Sequence, residues 1–170
     1  MKIWIRGVSC SGKSTLAKKL SKELNLPHIE LDQLYWLPEW NNREKEEFLE
    51  LVSSKLNQKD WVMDGNYRLV ANSLNPQTDY VLWLNYPFFK VMFRCVGRTF
   101  SRVVRKTSVC NCNRENFRQQ FTLEGSIFVW VLRTYRLRRK QLADLKKTST
   151  KVVEINHERD IERFIREVRL

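Results

Sequence analysis

Gly7-Val8-Ser9-Cys10-Ser11-Gly12-Lys13-Ser14 decides the fold of this 170-residue chain. The spacing Gly-x-x-x-x-Gly-Lys-Ser belongs to a loop whose backbone N–H groups curl around phosphate oxygens, provided that a strand precedes it and a helix follows. Both are in place: Lys2-Ile3-Trp4-Ile5-Arg6 reads as a buried strand, and Thr15-Leu16-Ala17-Lys18-Lys19-Leu20 continues as a helix. Chance yields this pattern in roughly 1% or fewer of chains this long, given average residue usage. An ordinary Gly/Ser turn is therefore a remote alternative. Gly7, Ser9, Cys10, Ser11, Gly12, Lys13, Ser14 and Thr15 are the expected contacts of a nucleoside triphosphate. Lys13 would reach the β- and γ-phosphates and Ser14 would ligate Mg²⁺, with the helix N-terminus adding partial positive charge.

Working outward, the chain alternates strand and helix. Leu26 to Leu31 gives a second short strand ending at Asp32, and Arg43 to Gln58 carries Phe48, Leu49, Val52 and Leu56 at a helical period. Trp61-Val62-Met63 is a third strand closed by Asp64-Gly65-Asn66, and Tyr80 to Leu84 a fourth ended by Asn85-Tyr86-Pro87. A long helix is expected from about Phe88 to Arg105, a loop over Lys106 to Arg114, and a second long helix from about Glu115 to Leu145. Lys151 to Ile155 supplies a fifth strand and Glu158 to about Val168 a terminal helix. This order predicts one α/β domain over 1–170, a three-layer phosphate-loop fold with a five-stranded parallel sheet, helices on both faces and a short lid at about 106–114. In such a sheet the crevice lies at the carboxyl ends of the strands, which brings the phosphate loop, Asp32, Asp64 and Asn85 together. Residues 32–60 would then form the acceptor-binding region.

Composition narrows the setting. No stretch approaches the ~18 consecutive apolar residues of a membrane span. A signal peptide is not expected, because Arg6 and the loop fall where its apolar region would sit. Cys10, Cys95, Cys110 and Cys112 are unevenly spaced and do not read as a disulfide framework, so a cytoplasmic protein is expected. The formal charge of +12 is concentrated: residues 90–140 hold thirteen Lys and Arg against Glu115 and Glu124, a net +11. A polyanion is expected there, either small-substrate phosphates or a nucleic-acid backbone. Ten of the thirteen are Arg, which suits bidentate phosphate contacts. Arg138, Arg139 and Lys140 read as a solvated basic face.

Asp64-Gly65-Asn66-Tyr67-Arg68 ends the third strand, where an acidic residue can hold the Mg²⁺ water shell. An Asp-Gly turn alone is common, but its place at a strand end beside a phosphate loop favours function. With the phosphate loop and Phe93-Arg94-Cys95-Val96-Gly97-Arg98, this turn resembles adenylate kinase and its relatives. The resemblance implies Asp64 for Mg²⁺, Gly65, Asn66 and Arg68 on the acceptor side, Arg94 at the adenine face and Arg98 on the phosphates. A closer resemblance, over nearly the whole chain, is to the small adenylate-kinase-related proteins labelled DNA topology modulation proteins. It rests on the Leu31-Asp32-x-Leu34-x-Trp36 run, Trp40, the Asp64-Gly65-Asn66-Tyr67 turn and the Arg-rich helix after the lid.

The chain departs from adenylate kinase after the second strand. Leu31-Asp32-Gln33-Leu34-Tyr35-Trp36 lacks the arginine that grips the acceptor phosphate there, which argues against AMP. Asp32 instead resembles the carboxylate of small-metabolite kinases such as shikimate kinase, and would orient an acceptor hydroxyl and take its proton. A helix N-cap is the alternative for Asp32. Tyr35, Trp36, Trp40 and Trp61 either stack on a substrate ring or join the core, the usual fate of aromatics. Cys110 and Cys112 lack two further ligands for zinc, and His28 and His157 read as surface loop residues.

The expected activity is ATP-dependent transfer of the γ-phosphoryl group to a nucleotide, nucleoside or hydroxylated metabolite. Lys13 and Asp32 would act with Arg98, Arg133 and Arg136, the last two three apart on one helix face. The alternative is an NTP-binding regulatory protein whose basic helices hold DNA, although no helix-turn-helix or zinc-finger signature is present. A GTPase is disfavoured, since no Asn-Lys-x-Asp motif occurs.

Overall fold

The computed structural model describes residues 1–74, 77–105, 108–113, 126–147 and 151–169. Five parallel strands form one sheet: β1 (Lys2–Gly7), β2 (His28–Glu30), β3 (Trp61–Asp64), β4 (Tyr80–Leu84) and β5 (Lys151–Ile155), in the order β2-β3-β1-β4-β5. The helices are α1 (Lys13–Leu24), α2 (Leu31–Tyr35), α3 (Lys45–Leu56), α4 (Arg68–Leu74), α5 (Phe88–Val104), α6 (Ile127–Leu145) and α7 (Glu158–Arg169). The predicted α/β class, strand number and parallel sense are all observed. Two short helices are additions: α2, in place of the last residue expected in the second strand, and α4 after the Asp-Gly turn. Each is too short for a full apolar period to show in the sequence. Of the second long helix, Ile127 to Leu145 is observed, while Glu115 lies outside the described residues.

Alternation along the strands sends side chains to two cores. Ile3 and Ile5 of β1, Val62 of β3, and Leu82 and Leu84 of β4 meet Leu16, Ala17 and Leu20 of α1 and Ile161, Phe164 and Ile165 of α7. On the opposite face Trp4, Trp61, Met63 and Val81 pack with Phe48, Val52 and Leu56 of α3 and Val70 and Leu74 of α4. Trp83 completes that face against Leu142 and Leu145 of α6. Because both faces are covered, the strands read as nearly continuous apolar runs. Trp61 is therefore core, as expected for most of the aromatics, and Tyr35 packs edge-on against Phe48.

On α5 the inward line is Val91, Cys95 and Thr99, flanked by the half-buried Arg94, Arg98 and Arg102, while Phe89, Phe93 and Phe100 are exposed. No helix among the described residues is long and apolar enough to cross a membrane.

The β3 turn is held closely. Gly65 has φ +137°, its N–H donates to Ile5 O at 3.4 Å, and its carbonyl accepts from Trp4 Nε1 at 3.0 Å. A Cβ there would lie 2.7 Å from Leu31 Cβ. Gly65→Ala is expected to lower unfolding stability by at least about 1–3 kcal/mol, from backbone strain before any clash, with urea denaturation as the check.

Candidate active site

The phosphate loop leaves β1 and enters α1 through Gly12, whose φ of +99° lies in a region that glycine adopts without strain. Ser11 Oγ is buried and has no hydrogen-bond partner among the described residues. Lys13 Nζ donates to Val8 O at 3.1 Å, folding across the loop. Burial lowers the Lys13 pKa, opposed by the carboxylates of Asp32 and Asp64, and Arg98 lowers it further. Three groups from separate elements thus converge on the loop lysine. Cys10 Sγ lies 2.8 Å from Cys95 Sγ on α5. Ser9 is half-buried and Thr15 exposed.

The β3 end is bonded directly to this loop. Parallel pairing sets Ile5 beside Asp64, and continuing the pairing brings Asn66 level with Gly7. The Asn66 amide donates from Nδ2 to Gly7 O at 2.5 Å and accepts at Oδ1 from Gly7 N–H at 3.3 Å. Ser14 Oγ donates to Asp64 Oδ2 at 2.5 Å, and the other oxygen, Oδ1, lies 3.1 Å from His28 Nε2. Asp64 is 3% exposed. A hydroxyl and a carboxylate held together beside a phosphate loop are hard oxygen donors of the kind Mg²⁺ takes, so the residues present fit that ion.

Asp32 does not cap a helix: it is the second residue of α2, whose N-cap position is Glu30 with no side-chain cap bond. Its Oδ1 accepts instead from Tyr67 Oη at 2.7 Å. Burial, and then the charge of Asp32 and that hydrogen bond, raise the Tyr67 pKa, so the phenol stays protonated and donating. Tyr67 also packs on Tyr35 and Phe48, ring centroids 4.7 and 5.2 Å away, so the aromatic cluster fixes the donor that positions Asp32. Glu30 is adjacent; burial first, then the charges of Asp64 and Asp32, raise its pKa. Cys110 is the third member of a close group with Glu30 and Asp32, and burial followed by those two carboxylates pushes its thiol up to about 11.

The described part of the expected lid lies against the expected acceptor region. Asn111 Nδ2 donates to Gln33 O at 2.9 Å and also to Trp36 O. Asn113 accepts from Trp40 N–H at 2.8 Å and donates to Leu37 O at 2.9 Å. Trp36 and Trp40 meet edge to face beneath this contact, 5.6 Å between centroids. Lys106 and Arg114, the ends of the expected lid, lie outside the described residues.

The arginines sort differently from expectation. Arg94 donates to Ser11 O and to Glu158 Oε1, each at 3.2 Å, and lies over the Tyr86 ring, which places it on the loop. Arg98 is near enough to act on Lys13, whereas Arg68 is exposed at the start of α4. Arg133 and Arg136 are exposed and make no hydrogen bond or ion pair among the described residues. Arg138, read as part of a solvated face, is 9% exposed. Its register gives the reason: Val131, Thr134, Arg138, Leu142 and Leu145 form the buried stripe of α6. His28 is likewise corrected, since it sits in β2 against Asp64 and not in a surface loop. Its strand neighbour Glu30 is the other site residue that sequence reasoning missed. Both belong to a strand that runs into Asp32, but at three residues it is too short for alternation to mark them.

No family model matches the chain, and no curated protein matches its sequence. Among solved structures it is similar to the shikimate kinase from Aquifex aeolicus vf5, with a TM-score of 0.56 and 16% identity over 99% of this chain and 93% of that one. It is also similar to the shikimate kinase from Bacteroides thetaiotaomicron, with a TM-score of 0.56 and 13% identity over 99% and 96% of the two chains. At these identities the likeness establishes the fold alone, which this chain shares with those two proteins.

The carboxylate cluster makes a pH-dependent contribution to stability. Because the Glu30 pKa is raised on folding, its contribution is full below the ordinary glutamate range and is lost as pH rises through the folded value. Glu30→Gln removes that loss. Urea midpoints in chelator-treated buffer are expected to favour the variant over wild type more at pH 8 than at pH 4.

Proposed function

We propose that this protein is an ATP-dependent phosphotransferase that moves the γ-phosphoryl group to a hydroxyl of a small-molecule acceptor. The observation that carries the reading is the convergence of two carboxylates, Asp32 and Asp64, on the phosphate-loop lysine, Lys13. One of them is tied to Ser14 and the other to a tyrosine, so their roles divide. The similarity of the fold to shikimate kinases and the resemblance of the Leu31 to Trp36 run to adenylate-kinase relatives support the same reading.

On this reading the loop amides, Lys13 and Arg98 bind the triphosphate, with Arg94 bracing the loop from α5. Ser14 and Asp64 would hold Mg²⁺, which when bound neutralises charge on the β- and γ-phosphates. Asp32, held by Tyr67, orients the acceptor hydroxyl and takes its proton as the oxygen attacks. Trp36 and the segment that Asn111 and Asn113 close over it exclude water from the acceptor. Phosphoryl transfer then depends on positioning and charge more than on covalent chemistry.

Small-molecule phosphates suit the arginines better than a DNA backbone does. Arg94, Arg98 and Arg102 are half-buried on α5, and the exposed face of that helix carries phenylalanines.

Lys13→Ala is expected to reduce transfer by about 10³-fold with the fold intact, measured as ADP release across a screen of hydroxylated acceptors. Undiminished turnover would sink the kinase reading. Asp32→Asn is expected to lower the single-turnover rate by about 100-fold while the ATP dissociation constant changes little. Equal losses in both would place Asp32 on the donor side.

A further inference from the structure

The outer side of α5 is apolar and faces solvent. Phe89, Phe93, Val96, Phe100 and Val104 follow one another at steps of four, three, four and four residues, which holds them on one stripe of the helix. Phe89 is 83% exposed, Phe93 81%, Phe100 and Val104 63% each, and Val96 51%. At 1.5 Å per residue the stripe is about 22 Å long. The buried line of the same helix, Val91, Cys95 and Thr99, lies on its other side. α5 is therefore apolar on two sides, and the fold covers one of them. Scattered exposed apolar residues need no partner, but an unbroken row of three phenylalanines and two valines does.

The charges around the row indicate what covers it. α5 carries no Asp or Glu, and α6 carries one, Asp144, near its end. Arg105, directly after α5, is exposed. The side of α6 turned toward α5 is marked by Tyr135, whose ring meets Phe88 edge to face at 5.2 Å and whose Oη donates to Tyr86 O at 3.2 Å. Leu132, three residues before Tyr135, and Arg139, four after it, share that side and are exposed, as is Arg136, four after Leu132.

An apolar row with cations beside it and no carboxylate on its own helix suits the boundary of an anionic bilayer. Rings enter the layer between headgroups and acyl chains, and guanidiniums meet lipid phosphates. A second copy of this chain is a poorer occupant, since its matching face would set the same arginines against these. Nucleic acid is poorer too: Val96, Val104 and Leu132 offer no ring for a base to stack on, and the crest of the row holds no side-chain donor for a phosphate.

We propose that α5 docks this protein reversibly on a membrane surface rich in anionic lipid, with the Phe89 to Val104 stripe in the interfacial layer and Arg105, Arg136 and Arg139 on the headgroups. The helix lies along the surface, since no described helix is long and apolar enough to cross a membrane. Arg94, which donates to Ser11 O of the phosphate loop, is not on this stripe. Docking and nucleotide binding thus use different sides of one helix, and the proposal does not depend on the kinase reading.

The test is co-sedimentation of the whole chain with phosphatidylcholine vesicles, with and without phosphatidylglycerol, at low and high salt. Wild type is expected to bind the phosphatidylglycerol vesicles at least about tenfold more tightly than the neutral ones, and less tightly as salt rises. Phe93→Ser combined with Phe100→Ser should weaken binding at least about tenfold. Arg105→Gln combined with Arg139→Gln should also weaken it and flatten the salt dependence, whereas Lys55→Gln on α3 should do neither. Because Phe93 and Phe100 are exposed, their double variant should melt no lower than wild type. A clear drop in its melting temperature would show that the stripe packs within the monomer and overturn the proposal. So would failure to bind phosphatidylglycerol vesicles, equal binding to neutral ones, or binding that the phenylalanine variant leaves unchanged. Sedimentation velocity without lipid tests the second copy: a wild-type dimer that the phenylalanine variant loses assigns the stripe to self-association instead. A single-stranded oligonucleotide bound more tightly than the vesicles, and released by the same variant, assigns it to nucleic acid.

Discussion

Two hydrogen bonds between the Asn66 side-chain amide and the backbone of Gly7 carry the geometry of this candidate site. They extend the β1–β3 ladder two residues past its last pair, with a side chain substituting for main chain. Everything placed by the β3 turn inherits its position from that join: Asp64 reaches Ser14, and Tyr67 reaches Asp32. The Ser14–Asp64 and Tyr67–Asp32 pairs are therefore one mechanical unit. A side-chain amide suits this purpose because it offers a donor and an acceptor in one plane, which neither Asp nor Ser does.

Charge is distributed by the same logic of depth. The chain is strongly basic, yet its arginines sit in distinct settings. Arg94 on α5 braces the loop, Arg133 and Arg136 are exposed, and Arg6 and Arg138 are buried, the one between two indoles and the other bonded to the Gln141 amide. Indole faces soften the burial of a guanidinium by cation–π attraction but do not neutralise it. Opposite them, Glu30, Asp32 and Asp64 concentrate negative charge around Lys13. The charge is divided between the two: acidic around Lys13, basic between Trp4 and Trp83.

The fold was legible because its signals are local and repeated: a loop motif of fixed spacing, apolar strand runs and alternation with helices. Asp64 and Asp32 were legible for the same reason, since each directly follows a strand that the pattern locates. What escaped was decided by facing. Arg138 sits among Arg136, Arg139 and Lys140, and only the buried stripe of α6 separates it from them. His28 and Glu30 belong to a three-residue strand, too short for alternation to declare which side each takes. Asn111 and Asn113 looked like loop polarity, yet their amides satisfy backbone groups at Gln33, Trp36, Leu37 and Trp40.

The strand order has a consequence for how the chain is made. β1 occupies the centre of the sheet, between β3 and β4, so neither neighbour exists when β1 leaves the ribosome. The second neighbour is complete only at Leu84, and at about 5–20 residues per second the wait from Gly7 is roughly 4–15 s. Strand pairing itself takes microseconds once both partners are present. Ile3, Trp4 and Ile5 thus spend seconds without their final packing, an interval in which apolar segments attract chaperones or one another. The rate of translation across residues 8–84 sets the earliest moment at which the middle of this sheet can close.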